Sequence, residues 1–460
     1  MRMRSPWLEP WGDVTKTIQH RQDIAVQETA FDTEKQQARG LLRAFIALRH
    51  RNFRLFWFGQ LVSLIGTWMQ SIGQSWLVLE LTHNALLLGV VGALQFLPVL
   101  LFTLFGGVLA DRWPKRTVLL FTQSSAMIQA IILWILVATG SVQIWHIFVL
   151  ATLLGLTNSI DMPTRQAFVV EMVGREDLTN AVALNSSLFN MARVIGPGIG
   201  GLIIAALGVA PLFLLNGLSF IAVLIGLVMI DMTKLHALDR RLAMQKLDQK
   251  QGTIKSLREG LVYVFLTPSV LLIIAVIGAI SLFGINFNVV LPLFATEVLH
   301  AGPTGFGFIS SFFGIGSLLS ALWLAWNNKK PSVQQMLVGG TVFCAAEAAF
   351  AISHLYVLSL VLIAAVGFAQ IAFTAIANTT LQTVAPNHLR GRVMSVYMLV
   401  FNGSTPIGNL FTGGLAAPFG ASISLLAGAL LSLVAVVFGW IYRKPAEKSL
   451  AEATVFKIGE

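Results

Sequence analysis

The stretch GGVLADRWPKR, residues 106–116, ends with one acid, three bases and a proline within six residues, and it separates two long apolar runs. The flanking runs, approximately 86–110 and 117–139, each have the length a helix needs to cross the hydrocarbon core, about 20 residues at ~1.5 Å per residue. A short charged link between two such runs reads as a connection in water between two membrane spans.

The same rhythm continues along the chain. Its 460 residues are 56% hydrophobic and 11% charged, with a mean hydropathy of +0.77, well outside the mix of soluble domains. Twelve runs are long enough to span: 55–81, 86–110, 117–139, 145–170, 178–207, 211–230, 269–296, 305–326, 336–353, 356–384, 393–417 and 422–442. A transmembrane barrel would instead show short alternating segments, because lumen and lipid faces alternate along a strand. The expected fold class is therefore an all-α membrane protein. The first 50 residues carry early charges and no apolar stretch ending in a small-residue cleavage site, so no removable signal peptide is expected. The single cysteine, Cys344, lies inside a span and reads as an inert packed thiol.

The 31 Lys and Arg give a net charge of +10, and their placement fixes what that charge means. Nearly all lie before the first span, in the links after spans 2, 4, 6, 8 and 10, and in the C-terminal tail. The alternate links (THNA, GSVQI, GVA, EVLHAGP, HL and PFGA) contain no Lys or Arg. The positive-inside bias predicts a multi-pass protein of the cytoplasmic membrane with both termini in the cytoplasm. Bases scattered over separate links form no single surface, so no nucleic-acid partner is expected; the bilayer is the partner the composition demands.

The longest polar interruption follows span 6 and divides the chain into a tail (1–54), a six-span block (55–230), a linker (231–268), a second six-span block (269–442) and a second tail (443–460). A faint repeat supports duplication: Gly89 precedes Asp111 by the same spacing as Gly305 precedes Asn327, and VIGPGIGG in span 5 has a counterpart in STPIGNLFTGG of span 11. Duplicated six-helix blocks place a substrate path at their interface near the midplane. Residues 255–265 and 41–55 could form interfacial amphipathic helices, with simple anchoring of the bundle as the favoured alternative.

The opening stretch resembles the loop between helices 2 and 3 of the major facilitator superfamily: Gly, three residues, Asp, Arg, then a basic cluster. The resemblance implies twelve helices in two pseudo-symmetric six-helix bundles. Asp111 would act as a conformational latch with Arg112, Lys115 and Arg116, pairing with a base or capping the positive end of a helix. This chain has Pro114 where the family usually has Gly, and the second-half counterpart WNNKK lacks the acid. GPGIGG in span 5 resembles the antiporter motif of the superfamily, with Gly196, Gly200 and Gly201 allowing close packing and Pro197 bending the helix; Ala192 stands where a further glycine is expected. DMPTRQAF, NAVALNSSLFNMARVIGPGIGG, RNFRLFWFGQLVSLIGTWMQ and LRGRVMS are similar to the exporter branch that includes enterobactin and macrolide efflux proteins. The match runs from about residue 51 to 444. It implies proton-driven export of an amphipathic small molecule by alternating access.

Polar residues inside a lipid-embedded span must face protein or water. Span 1 carries Gln60, Ser63, Thr67, Gln70 and Gln74 at steps of three and four, one helical stripe. Span 10 offers Gln370, Thr374, Asn378 and Gln382, span 4 offers Asn158, and span 7 offers Asn286 and Asn288. The resemblance places helices 1, 4, 7 and 10 around a central cavity, so these residues are its candidate lining. Arg193, about midway along span 5, could meet an anionic group. Asp161 and Arg165, four residues apart, can pair on one helix face and are candidates for an inner gate; Glu347 in span 9 is a candidate proton carrier. No Walker-type GxxxxGKS is present, so no ATP hydrolysis, no catalytic residue and no cofactor are expected, and the scattered histidines predict no metal site. A facilitator or importer of the same fold, or a non-transporting scaffold or receptor, stand as alternatives.

Overall fold

The computed structural model describes residues 45–235, 253–327, 331–386 and 389–458, with the side chains of residues 104, 111, 253–257 and 445–458 outside that description. Among the described residues the regular structure is helical, with no strand. The first half comprises α1 (Arg51–Thr82), α2 (Ala85–Arg112), α3 (Lys115–Ala138), α4 (Ile144–Val173), α5 (Leu178–Leu207) and α6 (Ala210–Val228). The second comprises α7 (Pro268–Val298), α8 (Gly302–Trp326), α9 (Val333–Ala351), α10 (Tyr356–Val384) and the helical stretch Arg390–Ile458. Gly420, at φ 81° and ψ 168°, divides that last stretch into α11 (390–419) and α12 (from 421). A β-carbon strains such a left-handed backbone, so glycine there lets the chain reverse between two spans. A separate helix, Thr253–Leu266, precedes α7, over the segment expected to be amphipathic.

Most of these helices are apolar nearly all round, as a span in lipid must be. Phe105, Phe121, Ile225, Val357 and Ile441 stand exposed and form part of an outer apolar belt. Side-chain caps end the spans locally: Asn84 Oδ1 accepts from the Leu86 amide at 2.9 Å, and Ser332 Oγ accepts from the Gln335 amide at 3.3 Å, each satisfying a first-turn donor.

The duplication is written in the backbone. His83 after α1 and His300 after α7 both sit at φ 47°, in left-handed turns that non-glycine residues seldom adopt; Gly208 after α5 and Gly420 after α11 share φ 79° and 81°. Equivalent spans therefore end in equivalent turns. The sequence repeat that pairs Gly89 with Gly305 is offset at the contact. Gly305 packs on Tyr356 and Ala301, whereas Gly307 meets α5.

Among the described residues the most extensive contacts between the halves lie at two helix crossings, with α7 also touching α1 and α2. On α5 and α8, a β-carbon on Gly201 would stand 2.6 Å from the Pro303 carbonyl oxygen and 2.9 Å from the Gly307 Cα; on α2 and α11, one on Gly413 would stand 3.1 Å from the Gly89 Cα. Glycine at these points lets backbone meet backbone. Among the described residues, the glycine contacts between halves run from the ends remote from the basic links only as far as Gly314 against Arg193 and Gly403 against Leu100. These lie about midway along their helices. The two halves thus meet over the end far from the basic links and through the middle.

Ion pairs cluster at the basic end. Lys115 Nζ lies 2.6 Å from Glu171 Oε1, joining α3 to α4, and the Arg116 guanidinium donates to the Val228 carbonyl at 2.6 Å, joining α3 to α6. Arg392 at the start of α11 pairs with Glu259 of the helix before α7. Asp177 between α4 and α5 accepts from the His50 ring at 2.7 Å and from Arg49 at 2.9 Å. These contacts hold the Asp177 carboxyl below the usual carboxylate range, His50 foremost. A carboxyl lowered on folding contributes stability above its unfolded value, about 4, which is lost as pH falls through the folded one. Asp177→Asn should therefore lower the unfolding midpoint slightly at neutral pH, since Arg49 is 58% exposed and solvent weakens the pair. The gap from wild type should close below about pH 4; a gap that widens with acid would contradict this assignment.

Candidate functional site

A cavity of about 530 Å³ opens within the first half, inside the range of about 300–1,000 Å³ that holds small organic molecules. All six helices of that half contribute to its wall, and Asn288 and Val289 of α7 complete it. The α1 stripe lies on this wall in full: Gln60, Ser63, Thr67, Gln70 and Gln74. Helical spacing explains this, because steps of three and four keep one face toward the cavity over about 21 Å of rise. Thr67 returns its hydroxyl to the Ser63 carbonyl at 2.9 Å, and Gln70 Oε1 accepts from Asn216 of α6 at 2.6 Å.

Asn158, Asp161 and Arg165 of α4 also line the cavity. Asp161, 3% exposed, accepts from Thr122 Oγ1 and Gln123 Nε2 of α3, each at 2.7 Å, and from Arg165 Nε at 3.0 Å. Its charge is met by four donors counting the second Arg165 nitrogen at 2.5 Å. The pair is a neutral, hydrogen-bonded unit in a wall otherwise built of amides, hydroxyls and apolar side chains. Phe56, Trp68, Phe96, Phe189 and Phe220 supply the aromatic surface. Such a wall suits an amphipathic guest, with flat apolar faces for its body and amides for its polar groups.

Other expected lining residues stand elsewhere. Gln370, Thr374 and Asn378 of α10 are not in this wall: Thr374 bonds the Gln370 backbone carbonyl at 2.9 Å and Asn378 accepts from Gln382 at 2.5 Å, so those two are met within their own helix, whereas the Gln370 side-chain oxygen is buried without a hydrogen-bond partner. Asn286 packs against Gly408 of α11. Arg193 lies between the Phe313 ring of α8, 4.6 Å from its centroid, and the Trp68 ring of α1, 5.9 Å away. Among the described residues no carboxylate is within ion-pair reach of it, and the aromatic faces take that role. Glu347 is 1% exposed within the second half.

Of the motif residues, Lys115 and Arg116 make the basic-end ties described above, Arg112 is exposed, and the Asp111 side chain lies outside the described residues. The antiporter-like motif splits into two faces: Gly196 and Gly200 pack on Trp68 and Met69 of α1, while the Pro197 carbonyl and Gly201 meet Gly307 of α8. α5 runs as one helix through Pro197. The interruption in this structure is in α7, where helix stops at Phe283 and resumes at Phe287; Asn286 and Asn288, read in the sequence as cavity lining, mark its place. Sequence reasoning also passed over Gln95, Gln123, Gln129, Gln166, Asn185 and Asn216, all in the wall. Gln129 continues a short stripe with Thr122 and Ser125 that could have been read; for the rest the available signal was that an amide inside a span needs a polar partner. Among the described residues no group of three or more His, Cys, Asp or Glu could hold a metal.

The comparisons with known proteins agree with this architecture. Residues 42–458 match the major facilitator family described as transmembrane secretion effector. The staphyloferrin A transporter of Staphylococcus aureus is 28% identical over 85% of this chain and 96% of its own length. The multidrug efflux pump Tap of Mycolicibacterium fortuitum is 29% identical over 84% and 93%, and the enterobactin exporter EntS of Shigella boydii 25% over 90% and 99%. Among solved structures, the nucleoside transporter NupG superposes with a TM-score of 0.67 at 13% identity over 85% of this chain and 99% of that one. A bacterial homologue of the human lysosomal transporter Spinster, inward-facing and occupied, superposes with a TM-score of 0.63 at 11% identity over 87% and 98%; at such identities the likeness is one of fold. With the family matched over nearly its whole length, the chain belongs to the transmembrane secretion effectors of the major facilitator superfamily, a multi-pass membrane transporter.

Proposed function

We propose that this transporter exports an amphipathic small molecule across the cytoplasmic membrane by alternating access, driven by the inward flow of protons. The observation that carries the reading is the cavity of about 530 Å³ walled by amides and aromatic rings, beside halves whose glycine crossings lie away from the basic end. On this reading the tails 1–54 and 443–460 and the linker 231–268 lie in the cytoplasm, as the basic links favour. The contacts seal the outer face, and the cavity loads from inside. Relatives named as a multidrug efflux pump and an enterobactin exporter support the direction. Asp161 with Arg165 serves as the inner gate, and Asp111 as the latch of the loop after α2.

Proteoliposomes test this. A proton gradient imposed across the membrane should drive a dye, a macrolide or a catecholate siderophore out of the compartment that the basic links face. No gradient-dependent movement across such a panel would overturn export, and accumulation in the opposite sense would favour an importer. Asp111→Asn should cut the driven flux at least about tenfold, a loss of ~1.4 kcal/mol in the preference between states, with expression unchanged. Full flux in that variant would remove the latch.

A further inference from the structure

The second half contains a cluster of oxygens that the cavity does not use. It surrounds the interruption of α7. The first segment of that span ends with the Gly284 and Ile285 amides both bonded to the Ile280 carbonyl, at 2.8 and 3.1 Å. The next segment starts with the Val289 and Val290 amides both bonded to the Asn286 carbonyl, at 3.1 and 3.3 Å. Among the described residues, no backbone amide of 287–289 returns to the carbonyls of 283–285. Asn286 partly bridges the gap, its Nδ2 donating to the Leu282 carbonyl at 2.8 Å.

Two side chains press on this interruption from neighbouring spans. Glu347 Oε2 of α9 and Ser432 Oγ of α12 would each be 3.1 Å from a β-carbon on Gly284, so both rest against it. The residues are 1% and 0% exposed, and neither oxygen has a hydrogen-bond partner. Asn286 Oδ1, on the same interruption, also has none. A buried carboxyl oxygen and a buried hydroxyl meet at one glycine, beside helix carbonyls that the break leaves without helical partners, and together they offer hard oxygen donors. The C-terminal end of a half-helix adds the negative end of its dipole.

We propose that the α7 interruption is a binding site for a small monovalent cation, a proton or sodium ion, held by Glu347 with Ser432 and the freed carbonyls of 283–285. Gly284 is about 24 Å along α7, midway in its 31 residues, while Glu347 is about 21 Å along the 19-residue α9, past its middle toward the far end; interrupted helices hold coupling ions at such breaks within a span. It reaches the cavity along the same span. Asn288, four residues beyond Gly284, stands in the cavity wall, so a change of charge at Glu347 acts on the joint that positions that wall. Few other charges compete. The titratable neighbour on α9 is Cys344, about one turn away; Glu297 of α7 is engaged at the far end with the Ala421 amide; on α11, which packs on α7, Arg390, Arg392 and Tyr397 lie in the first two turns at the basic end, Arg392 paired with Glu259; Tyr442, Arg443 and Lys444 of α12 lie about three turns beyond Ser432; α8 carries no titratable side chain, and α10 only Tyr356 at its start.

The assignment rests on the reading of the chain as a gradient-driven exporter, and its test is separable from that reading. Amide hydrogen exchange of residues 282–290 is followed in the full chain in lipid nanodiscs, corrected for the intrinsic effect of pH. One arm compares acid with mildly alkaline potassium chloride, and the other replaces potassium with sodium at constant alkaline pH. Wild type should slow by about tenfold in one arm, the acid arm identifying a proton and the sodium arm a sodium ion, and Glu347→Gln should lose the response. No response in either arm, or one that survives Glu347→Gln, overturns the site. If Glu347→Gln does not fold, Ser432→Ala carries the test: a severalfold weaker response supports the site and an unchanged one overturns it. A normal exchange response with no driven flux in proteoliposomes would sink the exporter reading alone.

Discussion

Gly201→Val should reduce driven transport by more than tenfold, and it should do so by favouring the state opposite to the one described here. The β-carbon alone would stand 2.6 Å from the Pro303 carbonyl oxygen and 2.9 Å from the Gly307 Cα, with backbone on both sides and no flexible end to yield. Overpacking of this kind costs about 1–3 kcal/mol, which falls on the state in which α5 and α8 meet. Carried wholly by one of two states, that cost moves their ratio by about 5- to 150-fold. Gly414→Ala is the control, since a β-carbon there meets only one Leu86 methyl at 3.8 Å, an ordinary contact. Efflux and external thiol-reagent accessibility of cysteines introduced in the cavity wall should change together in Gly201→Val: flux down, outside access up. Flux at the wild-type level would show that this crossing does not open.

The second large effect belongs to Asp161. Alanine there removes the acceptor of Thr122, Gln123 and Arg165 in one step and leaves a guanidinium in the cavity wall without its counter-charge. Breaking a buried pair from one side costs about 3–5 kcal/mol. Arg165 is 26% exposed on its side chain, and water access brings the expected loss to about 1–3 kcal/mol. Asp161→Ala should therefore both lower the unfolding midpoint and depress efflux. The double variant Asp161→Ala/Arg165→Met separates the roles, because it removes the orphaned charge: stability should recover while efflux stays low if the pair gates the cavity. Recovery of both would reduce the pair to a structural tie.

Membrane spans could be read in sequence because the solvent imposes them. A run that crosses lipid must be long, apolar and helical, so the link at residues 106–116 already separates α2 from α3 within a few residues of their observed ends. The α1 stripe was legible for a similar reason: five polar residues at helical spacing cannot all face lipid, and all five stand in the cavity wall. The α10 stripe obeyed the same rule without the same outcome, because polar groups can be satisfied by their own helix, as Thr374 and Asn378 are. Periodicity reports that a face is polar; it does not report whether the partner is water or the next turn.

Long-range arrangement was the part out of reach. Gln123 of α3 looks like an isolated amide until Asp161 of α4 comes within 2.7 Å of it. The interruption of α7 has no proline within it, and although Gly284, Asn286 and Asn288 weaken the helix there, nothing local decides that it breaks. It exists where Gly284 admits Glu347 and Ser432 from two other spans. Pro197, which sequence marks as a bend, sits inside an unbroken helix whose two glycine faces grip α1 and α8. Local chemistry allowed each conformation, and tertiary packing chose.

If the two halves hinge as proposed, the glycine contacts at the far end part as the basic ends approach. Spin-label distances test that most directly, with one pair at Val182 of α5 and Trp326 of α8, exposed near the basic ends of those helices, and a second at Leu86 of α2 and Phe419 of α11, exposed at the far end. In proteoliposomes under an imposed cation gradient, the basic-end distance should shorten while the far-end distance lengthens. Two distances that stay fixed, or that rise and fall together, would contradict alternating access in this protein.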